Sequence, residues 1–140
     1  MTSPMNETGM RLIPILLLAA LGAWFAMPAR SADDPFHAYL YETCLATESY
    51  WIGKDQKSVE ANCACKSKSE AAMASPGFKE AVLNQQPYDQ FPFGDPANYQ
   101  KQILTDCPKL RPLMVDAICK DPNAPKSACD DIKKMVDGLK

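Results

Sequence analysis

The chain has 140 residues, with 15 Lys and Arg against 17 Asp and Glu, one histidine and six cysteines. That length suits one domain. Charges of both signs are interspersed along the chain after its first 31 residues, so no basic stripe exists to neutralise phosphates, which argues against nucleic acid or an anionic membrane surface as a partner.

The first 31 residues read as a signal peptide. Arg11 supplies the positive start, and Leu12 to Met27 carries no charge and is mostly apolar. Pro28 breaks the helix, and Ala29-Arg30-Ser31 offers small residues at the usual cleavage offsets. The rival reading is an uncleaved anchor, because Arg11 and Arg30 bracket a stretch that just reaches spanning length. Cleavage would leave residues 32–140 as a single disulfide-stabilised helical domain with no membrane segment, periplasmic or secreted.

In the mature part, prolines mark helix starts. Asp34-Pro35, Ser75-Pro76 and Asp95-Pro96 each place an N-cap residue before a proline at the first helical position. A first helix is predicted over 35–52, with Phe36, Leu40, Cys44, Thr47 and Trp51 on one stripe. Gly53 would end it in the left-handed conformation. Asp55 would cap a second helix over 56–74, and the short connection makes the two an antiparallel hairpin. A shorter helix follows from Pro76, carrying Phe78, Ala81, Val82 and Leu83. Residues 86–95 form a loop rich in proline and aromatics, and helices over 96–106, 108–120 and 125–138 complete the chain. No run of alternating β-branched residues suggests a strand. The expected fold is all-α, a small disulfide-linked bundle of about five to six helices built on the N-terminal hairpin.

Cys44, Cys63, Cys65, Cys107, Cys119 and Cys129 all follow the leader, as a disulfide framework in an oxidising compartment requires. In an antiparallel hairpin Cys44 lies level with residue 64, between Cys63 and Cys65. Residues two apart on a helix point about 200° apart, so only one of the two can face the first helix. That one bridges Cys44, the other reaches Cys107, and Cys119 pairs with Cys129. The choice between Cys63 and Cys65 stays open. The second helix shows two apolar arcs, Val59, Cys63 and Met73 on one side and Ala61, Ala64, Cys65, Ala71 and Ala72 on the other.

Chemical readings compete with this framework. A thiol–disulfide redox centre at Cys63 and Cys65 would need a low-pKa thiolate, normally in Cys-x-x-Cys at a helix N-terminus. A zinc site would need further ligands, and the chain offers one histidine, His37. No motif for haem attachment, zinc hydrolysis, a nucleophile elbow or phosphate binding is present. No cofactor, metal or catalytic residue is therefore assigned. Met73, Met114 and Met135 read as core filler.

Tyr88, Phe91 and Phe93 sit on the proline-stiffened loop and form the candidate partner-binding site. The competing and simpler reading folds these rings inward to cap a small core. The function expected is a small exported non-catalytic binding protein: an inhibitor, an immunity factor or an accessory subunit of an envelope complex, with another protein as partner. In size, export and disulfide-bonded helices the chain looks like immunity proteins that guard bacterial envelopes against secreted amidases. That similarity is one of class and carries no site. The alternatives are a redox protein using Cys63 and Cys65, or a small-molecule or metal carrier.

Overall fold

The computed structural model describes residues 34–140, so the predicted leader lies outside the described residues. Among the described residues there are six helices and no strand: α1 (Pro35–Glu48), α2 (Gln56–Met73), α3 (Pro76–Leu83), α4 (Pro96–Asp106), α5 (Leu110–Lys120) and α6 (Lys126–Asp137). No described helix is long and apolar enough to cross a membrane.

The caps follow from the sequence. Asp34, Ser75 and Asp95 each accept a backbone N–H in the first turn, with proline at the start of α1, α3 and α4. Asp55 and Ser58 close a reciprocal capping box on α2. The last two helices start differently. Neither Lys109 before α5 nor Pro125 before α6 makes a side-chain cap.

Three disulfides join the helices: Cys44–Cys63, Cys65–Cys107 and Cys119–Cys129. Cys63 is therefore the residue that faces α1, while Cys65 reaches the end of α4. In the chain-entropy view, the first two bridges contribute about 3 and about 4 kcal/mol for their separations of 19 and 42 residues. α2 runs antiparallel to α1, since His37 meets Ser67, Cys44 meets Cys63, and the Ile52 carbonyl accepts from Asn62. α4 packs on the other side of α2.

The main core gathers Cys44, Ile52, Val59, Cys63, Ile103, Leu104, Cys107, Leu110 and Ile132. Met73, Met114 and Met135 are half-buried against it. A second cluster holds Phe36, Leu40 and Ala74, with Phe78, Val82 and Phe93 packed on it.

Three local expectations change. α1 ends at Glu48, four residues early, so Thr47 is exposed and Ile52, not Trp51, is the fully buried residue of that corner. The alanine arc of α2 does not receive a neighbour along its length, because Ala61, Ala64 and Ala72 are exposed. The buried stripe of α2 is instead Val59, Asn62, Cys63, Lys66, Ser67 and Glu70, a helical repeat filled mainly with polar side chains.

Gly53 is the third. Its φ lies outside the left-handed region, and its role is close approach. A Cβ there would lie 2.6 Å from the Val59 backbone nitrogen and 2.6 Å from Ser58 Oγ. The connection must touch the start of α2 so that Lys54 and Asp55 donate to Ser58 Oγ. Gly53→Ala should destabilise the fold by about 1–3 kcal/mol, read as a lower urea midpoint with an unchanged m-value.

Candidate functional site

The loop after α3 is held by its own backbone before any side chain is considered. Gln86 N–H donates to the Ala81 carbonyl and Gln85 N–H to the Val82 carbonyl, at 2.8 and 3.2 Å. These two bonds define a Schellman ending for α3. Its left-handed position, normally glycine, is Gln85, with φ at 53°. Farther on, Ser75 N–H donates to the Pro92 carbonyl at 2.9 Å, which fixes the far end of the loop against the start of α3.

The three loop aromatics divide their roles. Phe93 is half-buried and central, 5.6 Å from Phe78 and stacked on Tyr99 at 5.2 Å between ring centres. Phe91 remains 42% exposed, edge-on to both Phe93 and Tyr99. The Tyr88 ring leans on Phe78 and its hydroxyl hydrogen-bonds Ser75 Oγ at 2.9 Å. Phe93 thus serves the core, while Tyr88 and Phe91 keep outward surface.

Tyr88 also lines a groove of about 680 Å³ between the start of α1 and the end of α3. Pro35, Tyr39, Phe78, Ala81 and Leu83 line it with Tyr88, and no charged side chain does. Tyr39 and Leu83 are 46% and 55% exposed there, and Gln85 and Gln86 add two amides to the lining. The sequence signal for this groove was split. Tyr88 was visible on the loop, but Tyr39 and Leu83 sit on separate helices and meet it only through the fold.

Beneath Tyr99 lies a buried ionic network. Tyr99 donates its hydroxyl hydrogen to Glu70 Oε1, and the Lys66 ammonium donates to the same oxygen and, at 2.8 Å, to Glu48. Lys66 and Glu70 are buried, and the four side chains come from α1, α2 and α4. Burial alone would weaken the charge on Lys66, but the Glu70 charge, the Tyr99 phenol and the hydrogen bonds to Glu48 and Glu70 together outweigh it and hold the ammonium above its ordinary value. Burial, followed by the Glu70 charge, also raises the Tyr99 phenol. A lysine held this firmly protonated is no nucleophile. The network positions helices.

His37 Nε2 lies 2.9 Å from Ser67 Oγ, and all six cysteines are in disulfides, so His37 pairs with a serine and not with a thiol. Among the described residues, no group of three or more His, Cys, Asp or Glu side chains has the arrangement to hold a metal ion. The chain matches no known family model, no curated protein and no solved structure.

The network's contribution to stability is lost at alkaline pH. Both Lys66 and Tyr99 are raised in the folded state, so their contribution is complete below the unfolded values of 10.5 and 10.0 and fades as pH climbs toward the folded ones. Urea midpoints should therefore hold from about pH 7 to about pH 9 and fall above about pH 10, and Tyr99→Phe should remove part of that fall.

Proposed function

We propose that this chain is an exported, non-catalytic binding protein that holds a partner protein at the Tyr39–Leu83–Tyr88 groove. Residues 1–31 act as the leader and 32–140 as the one working domain. Its class is that of an inhibitor, an immunity factor or an envelope accessory subunit. Three disulfides in a small helical body are compatible with a periplasmic or extracellular setting.

The observation that carries the reading is the uncharged groove with two large, exposed apolar side chains on a cross-linked frame. A rigid apolar cleft loses little entropy when an apolar or aromatic partner side chain enters it. Gln85 adds support. A left-handed non-glycine costs about 1–2 kcal/mol, and this one borders the groove, where its amide can reach a partner backbone. Phe91 lies beyond the Phe78 and Phe93 rings and would extend the contact.

A redox function at Cys63 and Cys65 finds less support. The two sulfurs bond different partners, and Cys63 is wholly buried, so no shared dithiol exists between them.

Capture by the immobilised oxidised protein from an envelope or culture extract tests the reading. One recurrent protein partner should bind the wild type and be lost with Tyr39→Ser/Leu83→Ser, while the melting temperature moves by less than about 3 °C. Gln85→Gly should raise stability by about 0.5–1 kcal/mol and weaken the same capture. Equal capture by wild type and groove variants, or no recurrent partner, contradicts the proposal.

A further inference from the structure

The three disulfides differ in how a reagent reaches them. Cys44, Cys63 and Cys107 are 2% exposed or less, and Cys65 is half-buried. Cys119 is exposed and Cys129 half-buried. Cys119 also lines a groove of about 440 Å³ between α5 and α6. Thiol–disulfide exchange requires a thiolate to reach one of the bonded sulfurs, so access selects which bridge reacts. The groove gives that access at Cys119, whereas Cys44 and Cys63 are enclosed.

The groove lining carries charges of both signs. Lys133 lines it from α6. Asp116 and Asp137 line it too, and each pairs with another lysine, Lys120 and Lys140 respectively. On a lining of mixed sign, access to the sulfur selects the bridge more than local charge does.

Reduction would loosen a particular element. α6 packs chiefly on α5, and Ile132 is its one buried residue, with Met135 and Val136 only half-buried. Its first turn has no side-chain cap, and Cys129 lies in that first part of the helix. The bridge therefore fixes the end of α6 that capping leaves weakest. α1, α2 and α4 are tied to one another by the two less accessible bridges.

We propose that Cys119–Cys129 is a reducible latch: an external dithiol opens it while the other two bridges stay closed, and α6 then detaches from α5. One thiolate of the dithiol attacks Cys119 Sγ, a mixed disulfide forms, and Cys129 leaves as a thiolate that takes up a proton. The second thiolate of the dithiol then attacks the dithiol sulfur of that mixed disulfide and expels Cys119, which is protonated in turn. The dithiol loses two electrons and becomes a disulfide, and the protein gains two thiols. Detachment of α6 uncovers the core around Ile132 and Leu110.

The test treats the oxidised wild-type protein with dithiothreitol below its melting temperature, quenches with an alkylating agent at intervals and maps the labelled cysteines. Cys119 and Cys129 should label at least about tenfold faster than the other four. Hydrogen exchange on the partly reduced protein should show lost protection over residues 126–137, with α1 and α2 still protected. Simultaneous labelling of all six cysteines, or earlier opening of another bridge, overturns the selectivity. Opening of Cys119–Cys129 with α6 still protected overturns the latch.

Discussion

Two cysteines on one helix, separated by a single alanine, constrain this fold more than any other feature. On α2 the side chains of Cys63 and Cys65 diverge by about 200°, so one helix cannot take both. Cys63 bonds α1 and Cys65 bonds the end of α4, which forces α2 between them. A helix held from both sides in this way has a broad arc covered, whatever residues its sequence supplies there. Asn62, Lys66, Ser67, Ser69 and Glu70 are buried as a consequence.

Such residues are costly to bury unless each finds a partner. They do. Asn62 bonds the Ile52 carbonyl, Ser69 bonds Asp106 beside the second disulfide, and Lys66 joins Glu48 and Glu70. Among the described residues, no buried side-chain nitrogen or oxygen lacks a hydrogen-bond partner. The ion network contributes orientation more than net stability, because desolvation offsets much of its attraction. It links Glu48 of α1, two residues of α2 and Tyr99 of α4, and Tyr99 in turn carries Phe93 and the aromatic loop. The groove beside Tyr88 thus rests on a frame fixed by sulfur on one side and by charge on the other.

Local signals in the sequence located most helices. Asp34-Pro35, Asp55, Ser75-Pro76 and Asp95-Pro96 mark their starts because capping depends on neighbouring residues alone. The rotation of α2 was harder to read. Hydropathy assigns Lys66 and Glu70 to solvent and the alanines to a contact, and the fold does the reverse at Ala61, Ala64 and Ala72. The spacing of Val59, Asn62, Cys63, Lys66 and Glu70 does carry the helical repeat, but charge conceals it from an apolar pattern. Which of Cys63 and Cys65 meets Cys44 depends on that same rotation, so spacing narrowed the pairing without deciding it. The groove escaped for a different reason. Tyr39 and Leu83 lie on α1 and α3, and their approach to Tyr88 is a long-range result. Reading Tyr88, Phe91 and Phe93 as a unit, either inward or outward, also missed that adjacent loop positions split between core and surface.

The central claim is that α2 is a cross-linked hub whose two faces are bound by different sulfurs. Mass mapping of peptides from the non-reduced protein tests it directly. The account predicts Cys44 joined to Cys63 and Cys65 joined to Cys107. A peptide joining Cys44 to Cys65, or Cys63 to Cys65, would contradict it.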